Sequence, residues 1–284
     1  GTETYILSDD TWKANTGPIL QSDIYNGEIY DARLEFEGWD QSGFEDKEWN
    51  GVIIRNHDKN NLIASEAPVV RVTQTIKPVS KIITPKGEIV FDLGQNIVGW
   101  VQLSLEGEAG TEITLKHAEV LDRDGNFYTE NLRPAKAEDT YIFRGDGIET
   151  FEPHFTFHGF RYIKVEDYTG EISTADIKGK VIHSDMKPTG NFKCSDTLIN
   201  QLQKNIRWGM RGNFLDVPTD CPQRDERLGW TGDAQVFAPT ACFNMDVATF
   251  YTKWMKDLSA EQRTDGSVPW VVPMVVEGGG GTGW

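Results

Sequence analysis

Residues 216–235 read DVPTDCPQRDERLGWTGDAQ, and what surrounds this stretch decides how the chain divides. Pro218, Pro222 and Gly229 break any continuous helix here, because proline lacks an N–H and fixes φ while glycine favours turns. Upstream, Leu198, Ile199, Leu202, Ile206 and Met210 recur at helical spacing behind Ser195, a residue type that caps helices. Downstream, residues 234–243 and 247–258 have the pattern of two further helices. The stretch is therefore a constrained loop on a helical scaffold, which is where catalytic groups tend to sit.

Its chemistry is unusual for a connection. Asp216, Asp220, Asp225, Glu226 and Asp233 would repel one another in a shared cavity unless Arg224 and Arg227 neutralise some of them or burial keeps one protonated. A carboxyl with a raised pKa donates a proton near neutral pH, while neighbours paired with arginine stay ionised and accept hydrogen bonds. Trp230 adds a flat apolar face of the kind a sugar ring lies against. Acid, hydroxyl-binding carboxylate and aromatic wall together describe a glycoside-cleaving subsite. A salt-bridged surface loop is the plainer alternative, and the proline and glycine constraints weigh against it.

Moving outward, residues 73–185 contain runs rich in Val, Ile, Thr and aromatics, such as EIVFDLGQNIVGWVQLSLEG, TEITLKHAEVLD, FYTENLR, DTYIFRG and FRYIKVEDYTG. Gly, Asp and Asn turns separate them, as in an antiparallel sandwich. Residues 1–72 are β-rich but poorly periodic, part of a further β domain. The pattern changes near 186–190. The expected class is multidomain β plus α: antiparallel β-sandwich domains followed by an all-α unit of which the first helices are present. The expected divisions are 1–72, 73–185 and 186–284.

Bulk properties narrow the partners. The 284 residues suffice for several cores without covalent staples, and the 25% charged and 38% hydrophobic content suits a folded protein. A formal charge of −16 repels phosphate backbones and anionic lipid, so neither nucleic acid nor membrane is an expected partner. Cys194, Cys221 and Cys242 are too few and unevenly spaced for a disulfide framework or zinc ribbon. The chain starts without Met and stops after EGGGGTGW at 277–284 with no closing element, so it reads as a piece of a longer protein; its compartment stays open.

Other features have simpler explanations. DRDGNFYTE at 122–130 imitates the start of a calcium loop, but Arg133 falls where the twelfth-position Glu belongs, and a hairpin turn explains DGN better. His117, His154 and His158 sit in strand-like runs at spacings that do not suggest a shared site. Cys221 has no histidine base near it in sequence, so a nucleophilic role is disfavoured. DLGQNIVGW lacks a glycine triplet opening a helix, which disfavours phosphate binding. Trp100, Phe160 and Tyr162 read as sandwich core, and DGSVP at 265–269 as a turn. No metal or other cofactor is expected.

The 216–235 stretch also resembles the signature of bacterial α-L-rhamnosidases, glycoside hydrolase family 78. GEIYDARLEFEGWD at 27–40 and GFEDKEWNGV at 43–52 resemble that family's N-terminal β domain. VFDLGQNIVGW at 90–100, HAEVLDRDGNFYTENLR at 117–133 and FEPHFTFHGFRYIKVEDYTG at 151–170 resemble its central sandwich. The resemblance implies an (α/α)6-barrel catalytic domain starting near 186 and hydrolysis of terminal α-L-rhamnosides with inversion. It places Glu226 as general acid, Asp220 and Asp233 as holders of the rhamnose hydroxyls, Arg224 as a further sugar contact, and Trp230 as the aromatic wall. Trp284 matches another substrate-lining tryptophan. The family's catalytic base matches nothing in this chain, so the isolated piece is expected to be inactive. Another barrel glycosidase, or a carbohydrate-binding protein without activity, are the alternatives.

Overall fold

The computed structural model describes residues 2–60, 62–276 and 280. Ten strands form one sheet: β1 (Ile19–Asp23), β2 (Gly27–Asp31), β3 (Val70–Ile76), β4 (Ser80–Ile83), β5 (Ile89–Glu106), β6 (Glu112–Ala118), β7 (Glu138–Ile142), β8 (Ile148–Phe151), β9 (His158–Glu166) and β10 (Ile177–Ser184). Their order is β1-β2-β7-β6-β9-β5-β10-β3, with β4 and β8 also paired to β5. Every pairing is antiparallel except β2 with β7, which run parallel with Ile29 opposite Thr140.

The 18-residue β5 organises the sheet. Its first half pairs with β4 and β9, and its second half with β8 and β10. A strand serving four partners this way twists along its length and curls the sheet over its own core. Phe91, Leu93, Ile97, Val101, Leu103 and Leu105 point inward at every second position, meeting Ile113, Leu115, Phe143, Phe160, Ile163 and Ile177. Phe160 is thus core, as its sequence context implies; Trp100 and Tyr162 are only partly buried.

Two local expectations have different outcomes. The DGN segment is a turn: Leu121 bridges Phe127, Asp122 Oδ1 accepts from the Asn126 amide at 2.7 Å, and Gly125 has φ +86°. FYTENLR, read as a strand, instead contains a 3-10 turn at Glu130–Leu132, after which Arg133 takes φ +59°. Strands β1 and β2 extend the sheet built by residues 70–184. The first 69 residues also contain the short antiparallel pair Lys13–Ala14 with Asn50–Gly51 and a 3-10 turn at Ala32–Leu34.

Three helices follow: α1 (Thr197–Asn213), α2 (Thr231–Asn244) and α3 (Ala248–Glu261). Asp196, not Ser195, caps α1; its extended backbone lets the carboxylate accept from the Leu198 and Ile199 amides. α1 rests on β5 and β10. Met210, Phe214, Ala241, Met245 and Phe250 close a second core with Met186, in which the Phe214 and Phe250 rings stack at 4.7 Å. The apolar stripe expected to bury α1 divides: Met210 is enclosed, whereas Leu198 is 79% exposed, and Ile199 and Leu202 also lie on the surface. No helix among the described residues is long and apolar enough to cross a membrane.

Candidate active site

Residues 216–230 connect α1 to α2 and are anchored at both ends. The Thr219 amide donates to Asn213 O at 2.8 Å, and the Asp220 amide to Leu228 O at 3.1 Å, closing the loop on itself. The Val272 amide donates to Gly229 O at 2.9 Å, and Trp230 bridges Val271. Gly229 is required there, because a Cβ would overlap the Val272 carbonyl oxygen. Gly159 of β9 serves a similar purpose. Its missing side chain lets the loop approach the sheet, where a Cβ would stand 3.0 Å from Pro222 Cγ and Gln223 Cβ.

Arg227 fastens loop to sheet. It is 7% exposed, and its Nη1 donates to Ile24 O at 2.7 Å and to Phe157 O at 2.6 Å. Its guanidinium lies over the rings of Phe157 and Tyr25, at 4.9 and 5.4 Å from their centroids. Burial lowers its pKa to about 10, so it is charged at neutral pH. The expectation that Arg227 neutralises neighbouring carboxylates is therefore corrected: carbonyl dipoles and aromatic faces hold it.

The carboxylates find other cations. Asp220 Oδ1 accepts from the Leu228 amide at 3.0 Å, and Oδ2 lies 3.4 Å from Arg224 Nη2. The same guanidinium reaches Glu226 Oε2 through Nε at 3.1 Å and Nη2 at 3.0 Å. Arg133 adds Nη1 at 3.2 Å from that oxygen and 3.5 Å from Asp225 Oδ1. The Glu226 side chain is only 19% exposed. Burial pushes the Cys221 thiol up to about 12, aided by its hydrogen bond to Asp220. Glu119, on the sheet side, is also raised by burial, against a 2.8 Å hydrogen bond from Asn96 Nδ2 and the charge of Arg224.

Asp220 and Asp233 line one cavity of about 570 Å³, over Met210, Phe214 and Phe237. Asp233 is exposed in the first turn of α2, where the helix dipole favours an anion. A second cleft of about 280 Å³ lies between sheet and α1, lined by Asn96, Glu119, Trp208, Asn213 and Pro222. The structure thus joins Asp220, Arg224 and Glu226 in one ion-paired chain and brings Asp220 and Asp233 to the lining of one cavity. Trp230, expected as the aromatic wall, caps the N-terminus of α2, and its backbone bridges Val271. Trp284 lies outside the described residues. Arg133 and Tyr25, whose hydroxyl donates to Glu226 O at 2.9 Å, were not foreseen, being 93 and 201 positions from their partner.

Among the described residues two groups of donors could hold a cation. In Asp220, Cys221 and Glu226, the Arg224 guanidinium already supplies the positive charge. In the other, the structure joins histidines that the sequence kept apart: His158 Nε2 is 3.2 Å from both Asp139 oxygens, and the His117 ring stacks on His158 at 4.2 Å. His117 Nε2 also stands 3.9 Å from Asp139 Oδ2, so both rings face the same buried carboxylate. His117 Nδ1 donates to Ala137 O at 2.9 Å, and burial pushes the imidazole down to about 3.

Three family models match the chain. They are the α-L-rhamnosidase N-terminal domain over residues 1–74, the bacterial α-L-rhamnosidase concanavalin-like domain over 82–183, and the bacterial α-L-rhamnosidase 6 hairpin glycosidase domain over 187–284. An α-L-rhamnosidase of Streptomyces avermitilis is 48% identical over the whole of this chain and 28% of its own length. One from Formosa agariphila is 42% identical, over the whole chain and 31% of its own length. The chain thus spans less than a third of these curated relatives. The crystal structure of the Streptomyces avermitilis α-L-rhamnosidase complexed with L-rhamnose superposes with a TM-score of 0.94 at 47% identity, covering 99% of this chain and 27% of that one. A native α-L-rhamnosidase from Aspergillus terreus gives 0.94 at 43% identity, covering 98% of this chain and 32% of that one.

Proposed function

We propose, from the premise that the chain belongs to the bacterial α-L-rhamnosidase family, that it carries the acid half of a glycoside hydrolase releasing terminal, non-reducing α-L-rhamnose with inversion. The observation that carries this reading is the Glu226 carboxyl, largely withdrawn from water and joined through Arg224 to Asp220 at the edge of a cavity. Glu226 donates the proton to the glycosidic oxygen. Asp220 and Asp233, facing one cavity, accept hydrogen bonds from the sugar hydroxyls, with Arg224 as a further contact. Trp230 and Trp284 are proposed as the aromatic part of the sugar site. A site built to hydrogen-bond hydroxyls rejects sugars that lack them in those positions.

Inversion needs a second carboxylate about 6.5 to 9.5 Å from the acid, with room for water between. Asp220 does not fit, since its carboxylate lies within 4.8 Å of Glu226 and is already engaged by Arg224 and the Leu228 amide. The base is proposed to come from the longer protein that the relatives represent. In that protein, Glu226→Gln should lower kcat on an α-L-rhamnoside by about two to four orders of magnitude with little change in KM. Near-normal turnover rejects the assignment. Following the product by NMR tests the stereochemistry: β-L-rhamnose appearing first supports inversion, and α-L-rhamnose overturns it. The 284-residue chain alone should release no p-nitrophenol from p-nitrophenyl α-L-rhamnoside. A panel of nitrophenyl glycosides separates this reading from a barrel glycosidase for another sugar, and calorimetry with rhamnose from a protein that only binds.

A further inference from the structure

We propose that Arg133, supplied by the connection between β6 and β7 and not by the helices, is a positioning residue for the Glu226 carboxyl, so that the β part of the chain completes the catalytic site. This rests on the reading of Glu226 as the acid. Arg133 is built to reach. Leu132 before it is buried with Ala135 and Ala137, while Arg133 itself takes φ +59° and its side chain is 52% exposed. The guanidinium is thus projected from a fixed base across to the loop.

All the cationic contacts fall on one oxygen. Arg133 Nη1, Arg224 Nε and Arg224 Nη2 lie 3.2, 3.1 and 3.0 Å from Glu226 Oε2. Oε1 accepts no hydrogen bond among the described residues. A carboxyl whose one oxygen is engaged by two guanidiniums carries its proton on the other, which fixes Oε1 as the donor to the glycosidic oxygen. Arg133 also ties down the neighbouring Asp225 at 3.5 Å, and Tyr25 of the sheet holds the Glu226 carbonyl. The charged groups facing Glu226 are Arg133, Arg224 and Asp220, and Cys221 adjoins them as a neutral thiol.

A half-exposed ion pair contributes little to stability. Replacement of Arg133 should therefore spare folding and act on the proton transfer. The test compares Arg133→Met and Arg133→Lys with the parent in the full-length protein. It uses p-nitrophenyl α-L-rhamnoside, whose leaving group needs little protonation, and methyl α-L-rhamnoside, whose leaving group needs it fully. Arg133→Met should lower kcat on the methyl glycoside by about tenfold or more, and on the aryl glycoside much less, with KM and thermal unfolding nearly unchanged. Arg133→Lys should recover part of the loss. Equal losses on the two substrates overturn the proposal. Full activity in Glu226→Gln would instead overturn the reading beneath it.

Discussion

Arg227 Nη1 donates to the Ile24 carbonyl at 2.7 Å, joining residues 203 positions apart. The residue next to the proposed acid is thereby pinned to the first hairpin of the sheet, and the Phe157 carbonyl receives the same nitrogen. Loop and sheet form one support for Glu226. Ion pairs within the loop alone would leave it free to shift as a body.

The Arg227→Met variant tests this support. It leaves two carbonyls without their charged donor and removes two ring contacts, and the expected loss is on the order of 3 kcal/mol. Arg227→Lys should rescue little, because an ammonium cannot reproduce the planar fork. Urea unfolding at neutral pH reads both, and a loss below about 0.5 kcal/mol would show that the loop is held elsewhere.

Gly229 and Gly209 should respond oppositely to alanine. At Gly229 the added methyl meets the Val272 carbonyl, so destabilisation of about 1–3 kcal/mol is expected. At Gly209, inside α1, the methyl meets nothing within 4 Å, and alanine should stabilise the helix by up to about 1 kcal/mol. Thermal unfolding of the two variants side by side checks the contrast.

Cys221 should be chemically silent in the folded protein. Burial pushes its thiol up to about 12, so almost none is thiolate at neutral pH, whereas Cys242 is exposed. Titration with a thiol reagent should label Cys242 natively and Cys221 only after denaturation. Rapid native labelling of Cys221 would mean that the loop opens.

His117 predicts an acid-side loss of stability. Its folded pKa is depressed to about 3 from the ordinary 6.5, so between these values the unfolded chain binds the proton and the folded one does not. Stability is thus full above about 6.5 and falls as pH drops toward 3, by at most about 1.4 kcal/mol per pH unit from this group. Asp139, depressed in the fold despite its burial because of His158, adds a loss in the same direction nearer its ordinary carboxylate range. Urea midpoints at pH 7.5 and 5 should differ less in His117→Phe than in the parent. An unchanged difference would exclude His117 as the source.

Short-range pattern in the sequence determined a good deal. Proline and glycine placement set residues 216–230 as a loop between helices, DGN as a turn, and the change from strands ending at Ser184 to a helix starting at Thr197, while 231–235, read as loop, open the second helix. Each depends on neighbours along the chain, where φ restrictions and periodicity act directly. The kinds of side chain around Glu226 were equally legible, since carboxylates and arginines crowd there in the primary structure. Only the tertiary structure decided which of them pair. Arg224 takes the carboxylates, Arg227 turns away to carbonyls and rings, and the Trp230 backbone bridges Val271. The contributions of Tyr25 and Arg133, and the meeting of His117 with His158, come from the sheet's pairing order and curl. Strand order joins residues remote in sequence without leaving a local periodicity, so those contacts had no signal to read in advance.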